Sequence, residues 1–290
     1  MVHIYNQGRT FIMNCVSNTN MVCLSDLPLD IIKEIVDNLQ DDLPTLKASA
    51  QTCLSLSLPC SKYIFRTVIL NSRRESMTRR SFANLLDGNP QIVDYVRNLV
   101  YLPQHSRNMD NLDCHVLDKF HRIQSFQLNC DGFSLHASWS ELGPRLRESL
   151  SRIIHSVTQL VISYIKNFPI SIFIPCINLI ELKLNATQCI VDDINSYGHE
   201  YFAHDAVPQH QSLTLNGDSA VALMTLVDAR RFEHIPVLDF SNLRRLSINI
   251  LFNSELIGVH ALLKVTQKLE TLSYQYTGMY PIYLHFICWN

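Results

Sequence analysis

The residues best suited to chemistry cluster between Asn195 and Gln211, where His199, Glu200, His204 and His210 stand close together. A zinc-protease helix needs two histidines four residues apart, so that both imidazoles share one face, with a glutamate as general base. His199 and His204 are five apart, which turns them away from one another, and the stretch reads as a polar loop that holds no metal. Nucleophilic chemistry lacks its frame as well. Only eight glycines are present, and neither the phosphate-cradling GxxxxGKS/T loop nor the GxSxG elbow occurs. Nine cysteines, at positions 15, 23, 53, 60, 114, 130, 176, 189 and 288, form no CxxC pair and read as reduced, buried thiols. No catalytic residue, metal or cofactor is assigned, and a hydrolase reading lacks its acid, base and nucleophile.

Bulk properties narrow the field further. With 24 basic and 26 acidic residues the formal charge is -2, so the chain lacks the basic surface that tracks phosphates, and nucleic acid is not an expected partner. Residues 1–22 have no basic start followed by an apolar run of about 7 to 15 residues. The longest apolar region, Phe168 to Ile180, is cut by Pro169, Pro175 and Asn178 and is shorter than the roughly 20 residues a bilayer requires. The expectation is a soluble chain of the cytoplasm, the nucleus or both, with no membrane partner. In that setting Asn185-Ala186-Thr187 is the end of a strand, not a glycan acceptor. Arg73-Arg74 and Arg79-Arg80 read as a solvated linker, and the apolar Tyr280 to Asn290 stretch as either an aromatic cap or the loosely ordered tail of a truncated array.

Without catalytic chemistry, the elements themselves carry the argument. Leu27-Pro28 opens a helix, because proline's missing N–H would be unpaired there anyway and Asp30 sits near the positive end of the dipole. Ile31, Ile32, Ile35, Val36 and Leu39 then give an apolar face broad enough for two neighbours, one internal and one external. Asp41-Asp42-Leu43-Pro44 introduces a second helix carrying Leu43, Leu46, Ala50 and Cys53, and Pro59 is expected to open a third with Tyr63, Ile64 and Phe65. So small a helical trio usually needs outside support.

At these residues the chain resembles the F-box, which binds the Skp-type adaptor of cullin and RING ubiquitin ligases, in a form common among mushroom-type fungi. The resemblance runs through Leu24 to Ile32, Glu34-Ile35-Val36, Leu39, Leu46 to Cys53 and Leu58 to Val68. It implies that Leu27, Pro28, Ile31, Ile35, Leu39 and Leu46 pack against the adaptor, with a cullin held through it. Two departures stand out: Leu54 replaces a basic residue, and Leu56 replaces the family's Trp or Phe. An adaptor surface short of that anchor suits the alternative of a non-ligase scaffold with a divergent F-box.

Beyond Ser81 a phrase recurs: apolar, two variable residues, apolar, one variable, apolar. It stands at Val96 to Tyr101, Ile123 to Leu128, Val157 to Ile162, Leu179 to Leu184, Leu243 to Ile248 and Leu269 to Tyr274, with a degenerate copy at His210 to Leu215. The intervals of 22 to 34 residues lie near those of leucine-rich repeats, and Leu142 to Ile154 and Ser219 to Phe232 have the period of intervening helices. Four copies end on asparagine, Asn129, Asn185, Asn216 and Asn249, two residues earlier than the usual repeat asparagine. The expected architecture is therefore an N-terminal tail at 1–20, an α-helical F-box-like module at 21–70, and an irregular α/β leucine-rich-repeat-like solenoid at 71–290. Its binding face would carry Ser125, Gln127, Glu181, Lys183, Arg245, Ser247, Thr271 and Ser273 toward an unknown protein substrate, making the chain the noncatalytic substrate receptor of a ubiquitin ligase.

Overall fold

The computed structural model describes residues 27–71, 76–103, 110–130, 137–192, 207–231, 235–250 and 255–276. The described residues begin with three helices, α1 (Leu29–Asn38), α2 (Leu43–Thr52) and α3 (Leu54–Ile64). Asp42 starts α2 by accepting from the Thr45 N–H at 3.1 Å and from its hydroxyl at 2.6 Å, and these bonds hold the carboxyl below its ordinary range. Pro59 does not open the third helix. It lies within α3, which starts five residues earlier at Leu54. Ile32, Val36, Leu46, Leu56 and Cys60 form a small core of their own inside the trio.

The rest alternates strand and crossover. In order come β1 (Thr67–Asn71), α4 (Ser76–Gly88), β2 (Asn98–Leu102), α5 (Asp110–Leu117), β3 (Ser125–Asn129), the short β4 (Ala137–Ser138) and α6 (Pro144–Ser156). Next are β5 (Gln159–Ser163), the two-residue strands β6 (Ile165–Lys166) and β7 (Phe168–Pro169), β8 (Glu181–Asn185) and the equally short β9 (Cys189–Ile190). Last come β10 (Ser212–Asn216), α7 (Val221–Asp228), β11 (Arg245–Ile250), α8 (Glu255–Val265) and β12 (Thr271–Tyr276). Eight strands join in the order β1, β2, β3, β5, β8, β10, β11, β12, every pair parallel.

This overturns the expected fold class. The architecture is an eight-stranded all-parallel sheet with flanking helices, an α/β arrangement, and not an F-box-like helical module followed by a leucine-rich-repeat-like solenoid. The sheet even begins inside the segment assigned to the helical module, since Thr67 to Asn71 pair with Asn98 to Leu102. The physical reason lies in the phrase itself: alternating apolar positions specify a strand with one buried face and say nothing about how its crossovers are built. All seven phrases end on strands of the sheet, with the first apolar residue of each standing two residues before its strand. At each junction one carbonyl accepts two successive N–H groups of the next strand's start, as Arg97 accepts from Gln124 and Ser125, and Ile180 from Gln211 and Ser212.

Burial follows the alternation. Phe126 and Leu128, Leu160 and Ile162, Leu182 and Leu184, and Leu213 and Leu215 enter one core with Leu86 of α4, Leu117 of α5, Leu150 and Ile154 of α6, Leu223 and Leu226 of α7, and Leu262 of α8. Two expectations about charge and polarity change here. Arg79 is not a solvated linker residue: on α4 it is buried and meets Asp113 of α5 at 2.9 Å, while the Tyr101 hydroxyl donates to the same carboxylate at 3.0 Å. His210, read as part of a polar loop, is buried against Phe240. Cys60, Cys114, Cys130 and Cys176 are buried and unbridged. Residues 199–204, Arg73-Arg74 and the stretch from Tyr280 lie outside the described residues. Among the described residues no helix is long and apolar enough to cross a membrane.

Candidate docking surfaces

The first surface is on the helical trio. A ten-residue helix carrying Leu29, Ile31, Ile32, Ile35 and Val36 has more apolar side chains than a two-helix neighbour can cover, and only Ile32 and Val36 are buried. Leu29 is 55% exposed, Leu58 59% and Leu54 90%, while Ile31 and Ile35 are also open. Leu29, Leu54 and Leu58, with Lys33, Lys62 and Tyr95, line a recess of about 380 Å³. Its far wall, Tyr95, belongs to a 3₁₀ turn at Pro90–Tyr95 that leads into the sheet. The Tyr63 hydroxyl donates to Asp37 across α1 and α3, and this bond pushes the phenol upward from its ordinary range while fixing the two helices together.

Of the six residues expected to meet an adaptor, Pro28, Ile31 and Ile35 are exposed, and Leu27 and Leu39 are half-buried against the trio's core. Leu46 is fully buried, so it supports the surface from below and is not part of it. Leu56 is buried as well, so the missing aromatic is a change inside the trio. Leu29, Leu54 and Leu58 are the residues that the sequence reading missed. The four-residue spacing of Leu54 and Leu58 would have found two of them, had Pro59 not been taken for a helix start.

The second surface is the sheet face opposite the helices. Parallel sheets are usually covered on both sides, because their crossovers deliver helices to both. Here the outward positions among the described residues remain half-buried or exposed, except Ser163, which is buried. The eight candidates lie there in register. Asn98, Ser125, Gln159, Glu181, Ser212, Arg245 and Thr271 form one row across the strands. Ile69, Val100, Gln127, Val161, Lys183, Thr214, Ser247 and Ser273 form the next. Arg245 Nη2 donates to Glu181 Oε1 at 2.8 Å, reaching past Ser212. A third row holds Asn129, Ser163, Asn185 and Asn216.

Chemically, these surfaces offer contact area and hydrogen bonds. Among the described residues no group of three or more His, Cys, Asp or Glu is placed to hold a metal ion. The half-buried His155 and buried His210 have imidazoles pushed down to about 4 by desolvation, and they lie on separate elements, α6 and the approach to β10. No protein-family model matches the chain, and no curated protein is significantly similar to it.

Proposed function

We propose that the chain is the noncatalytic substrate-recognition subunit of a Skp-cullin-F-box type ubiquitin ligase: the helical trio docks on the adaptor, and the open sheet face recruits a protein target. The observation that carries this reading is the set of apolar side chains left outside the trio after its own core is filled. Leu29, Ile31, Ile35, Leu54 and Leu58 stay exposed, while Ile32, Val36, Leu46, Leu56 and Cys60 close the interior. Leu29, Leu54 and Leu58 share one recess, and burying an aliphatic side chain of this kind on a partner contributes up to roughly 3 kcal/mol, so a protein surface filling that recess would be held firmly. Leu56 also weighs against the scaffold alternative, because an interior leucine leaves the outer contact surface as it was.

Co-purification of the full chain with a Skp-type adaptor and a cullin is the test. The chain should capture both, and Leu54→Glu combined with Leu58→Glu should lower adaptor capture more than tenfold without changing the circular dichroism spectrum. Failure of the unaltered chain to hold adaptor, or undiminished capture by the double variant, would overturn the reading. Capture of adaptor without cullin would instead favour the non-ligase scaffold.

A further inference from the structure

The open sheet face has a charge pattern simpler than its composition suggests. Of its charged residues, Glu181 and Arg245 neutralise each other through their 2.8 Å contact. Lys183, two residues further along β8 and on the same face, is exposed and has no acceptor among the described residues. It stands near the middle of its row, and the two ends of that row differ. Toward β1 lie Val161, Gln127, Val100 and Ile69; toward β12 lie Thr214, Ser247 and Ser273. Along this row, Lys183 is the one charged side chain without a partner among the described residues, with Val161, Val100 and Ile69, and Gln127 between them, on one side and hydroxyls on the other.

Resting on the target-recruitment reading above, we infer that this face takes an extended peptide segment of the target with one acidic side chain over Lys183 and apolar side chains two and four residues away. Geometry sets the spacing. Neighbouring strands lie about 4.8 Å apart, so Val161 is about 5 Å and Val100 about 14 Å from Lys183 along the row. An extended segment crossing the strands advances about 3.3 Å per residue and turns alternate side chains to the same side. Residues two and four positions from the acid then fall at about 7 and 13 Å, over Val161 and near Val100. Charge complementarity decides the central residue: a lysine or arginine there would face Lys183 uncompensated, since the nearest carboxylate of the row beside it, Glu181, is already occupied.

The probe is a set of immobilised 11-residue peptides of serine and glycine with Asp at the centre and Leu two and four residues away on either side. Companion peptides replace Asp by Lys or move the leucines to odd positions. The full chain should bind the Asp peptides with even spacing about tenfold better than the Lys companion, the scale of one charged contact, and about threefold or more better than the odd-spaced companion, which keeps the charge and loses apolar burial. Lys183→Glu, a change at an exposed position, should reverse the Asp-over-Lys preference, and Val161→Ser should remove the preference for even spacing. Absence of these preferences, or their persistence in the two variants, would overturn the inference. Adaptor capture measured on the same preparations separates it from its foundation. A chain that captures adaptor but shows no peptide preference loses this inference alone. One that shows the preference but captures no adaptor keeps the face's chemistry and loses the ligase reading.

Discussion

Asn216 donates its side-chain amide to Asn185 Oδ1 at 2.8 Å, and Asn185 donates in turn to Ser163 Oγ at 2.9 Å, so three consecutive strands are tied at their carboxyl ends. The backbone repeats the link: the Tyr164 N–H donates to the Asn185 carbonyl and the Ala186 N–H to that of Asn216. Asn185→Ala removes the central member and both side-chain bonds. At roughly 1 kcal/mol for each, the unfolding free energy in urea should fall by about 2 kcal/mol.

The residue after each of these strand ends turns left-handed: Tyr164 at φ 60°, Ala186 at φ 46° and Gly217 at φ 64°. Only glycine adopts that region without a Cβ clash, which costs other residues about 1 to 2 kcal/mol. Ala186→Gly relieves the clash but gains freedom when unfolded, so stability should rise by about 0.5 kcal/mol. A higher urea midpoint with an unchanged slope is the expected result.

Leu46 and Leu54 separate folding from docking. Leu46→Ala hollows the trio's core and should cost about 2 to 5 kcal/mol, seen as an earlier transition in thermal unfolding. Leu54→Glu alters a side chain that is 90% exposed and should leave that transition within about 0.5 kcal/mol while weakening adaptor capture.

The buried Arg79–Asp113 pair joins α4 to α5 beneath β2. Arg79→Met alone takes the cation from a buried carboxylate and should cost about 3 to 5 kcal/mol. Arg79→Met with Asp113→Leu and Tyr101→Phe should recover most of that loss in urea unfolding, because the Tyr101 hydroxyl that donates to the carboxylate would otherwise be stranded in the core.

Acid should weaken the fold through His155 and His210. Both imidazoles are pushed down to about 4, chiefly by desolvation, while the unfolded chain protonates near the ordinary 6.5. Stability is therefore undiminished above about pH 6.5 and falls as the pH drops toward 4, since over that window the unfolded state binds protons the native state cannot. At pH 5 each site should cost on the order of 2 kcal/mol. Urea titrations at pH 7.5 and pH 5 check the loss, and His210→Phe, beside Phe240, should shrink the difference between them.

Local structure is written in the residue pattern alone. The alternation of Phe126 and Leu128, repeated down the chain, marks strands because a pleated backbone turns alternate side chains to one side, and each such pair lies in the sheet. Pro28 and Asp42 mark helix starts through their own backbone and side-chain chemistry. The outward positions, Lys183 and Arg245 among them, follow from the same alternation. The remaining features depend on residues far apart in the chain. Thr67 becomes a strand because Asn98 offers it a partner. Arg79, polar and clustered with other charges in sequence, is buried because Asp113 compensates it. Leu46 and Leu54 are the same residue type, yet one fills a core and the other stands in solvent, since burial depends on which neighbours the helices bring and not on side-chain chemistry alone. Lys183 is the unpaired charge of its face among the described residues for the same reason: Glu181, its near neighbour on β8, is taken by Arg245 from two strands away.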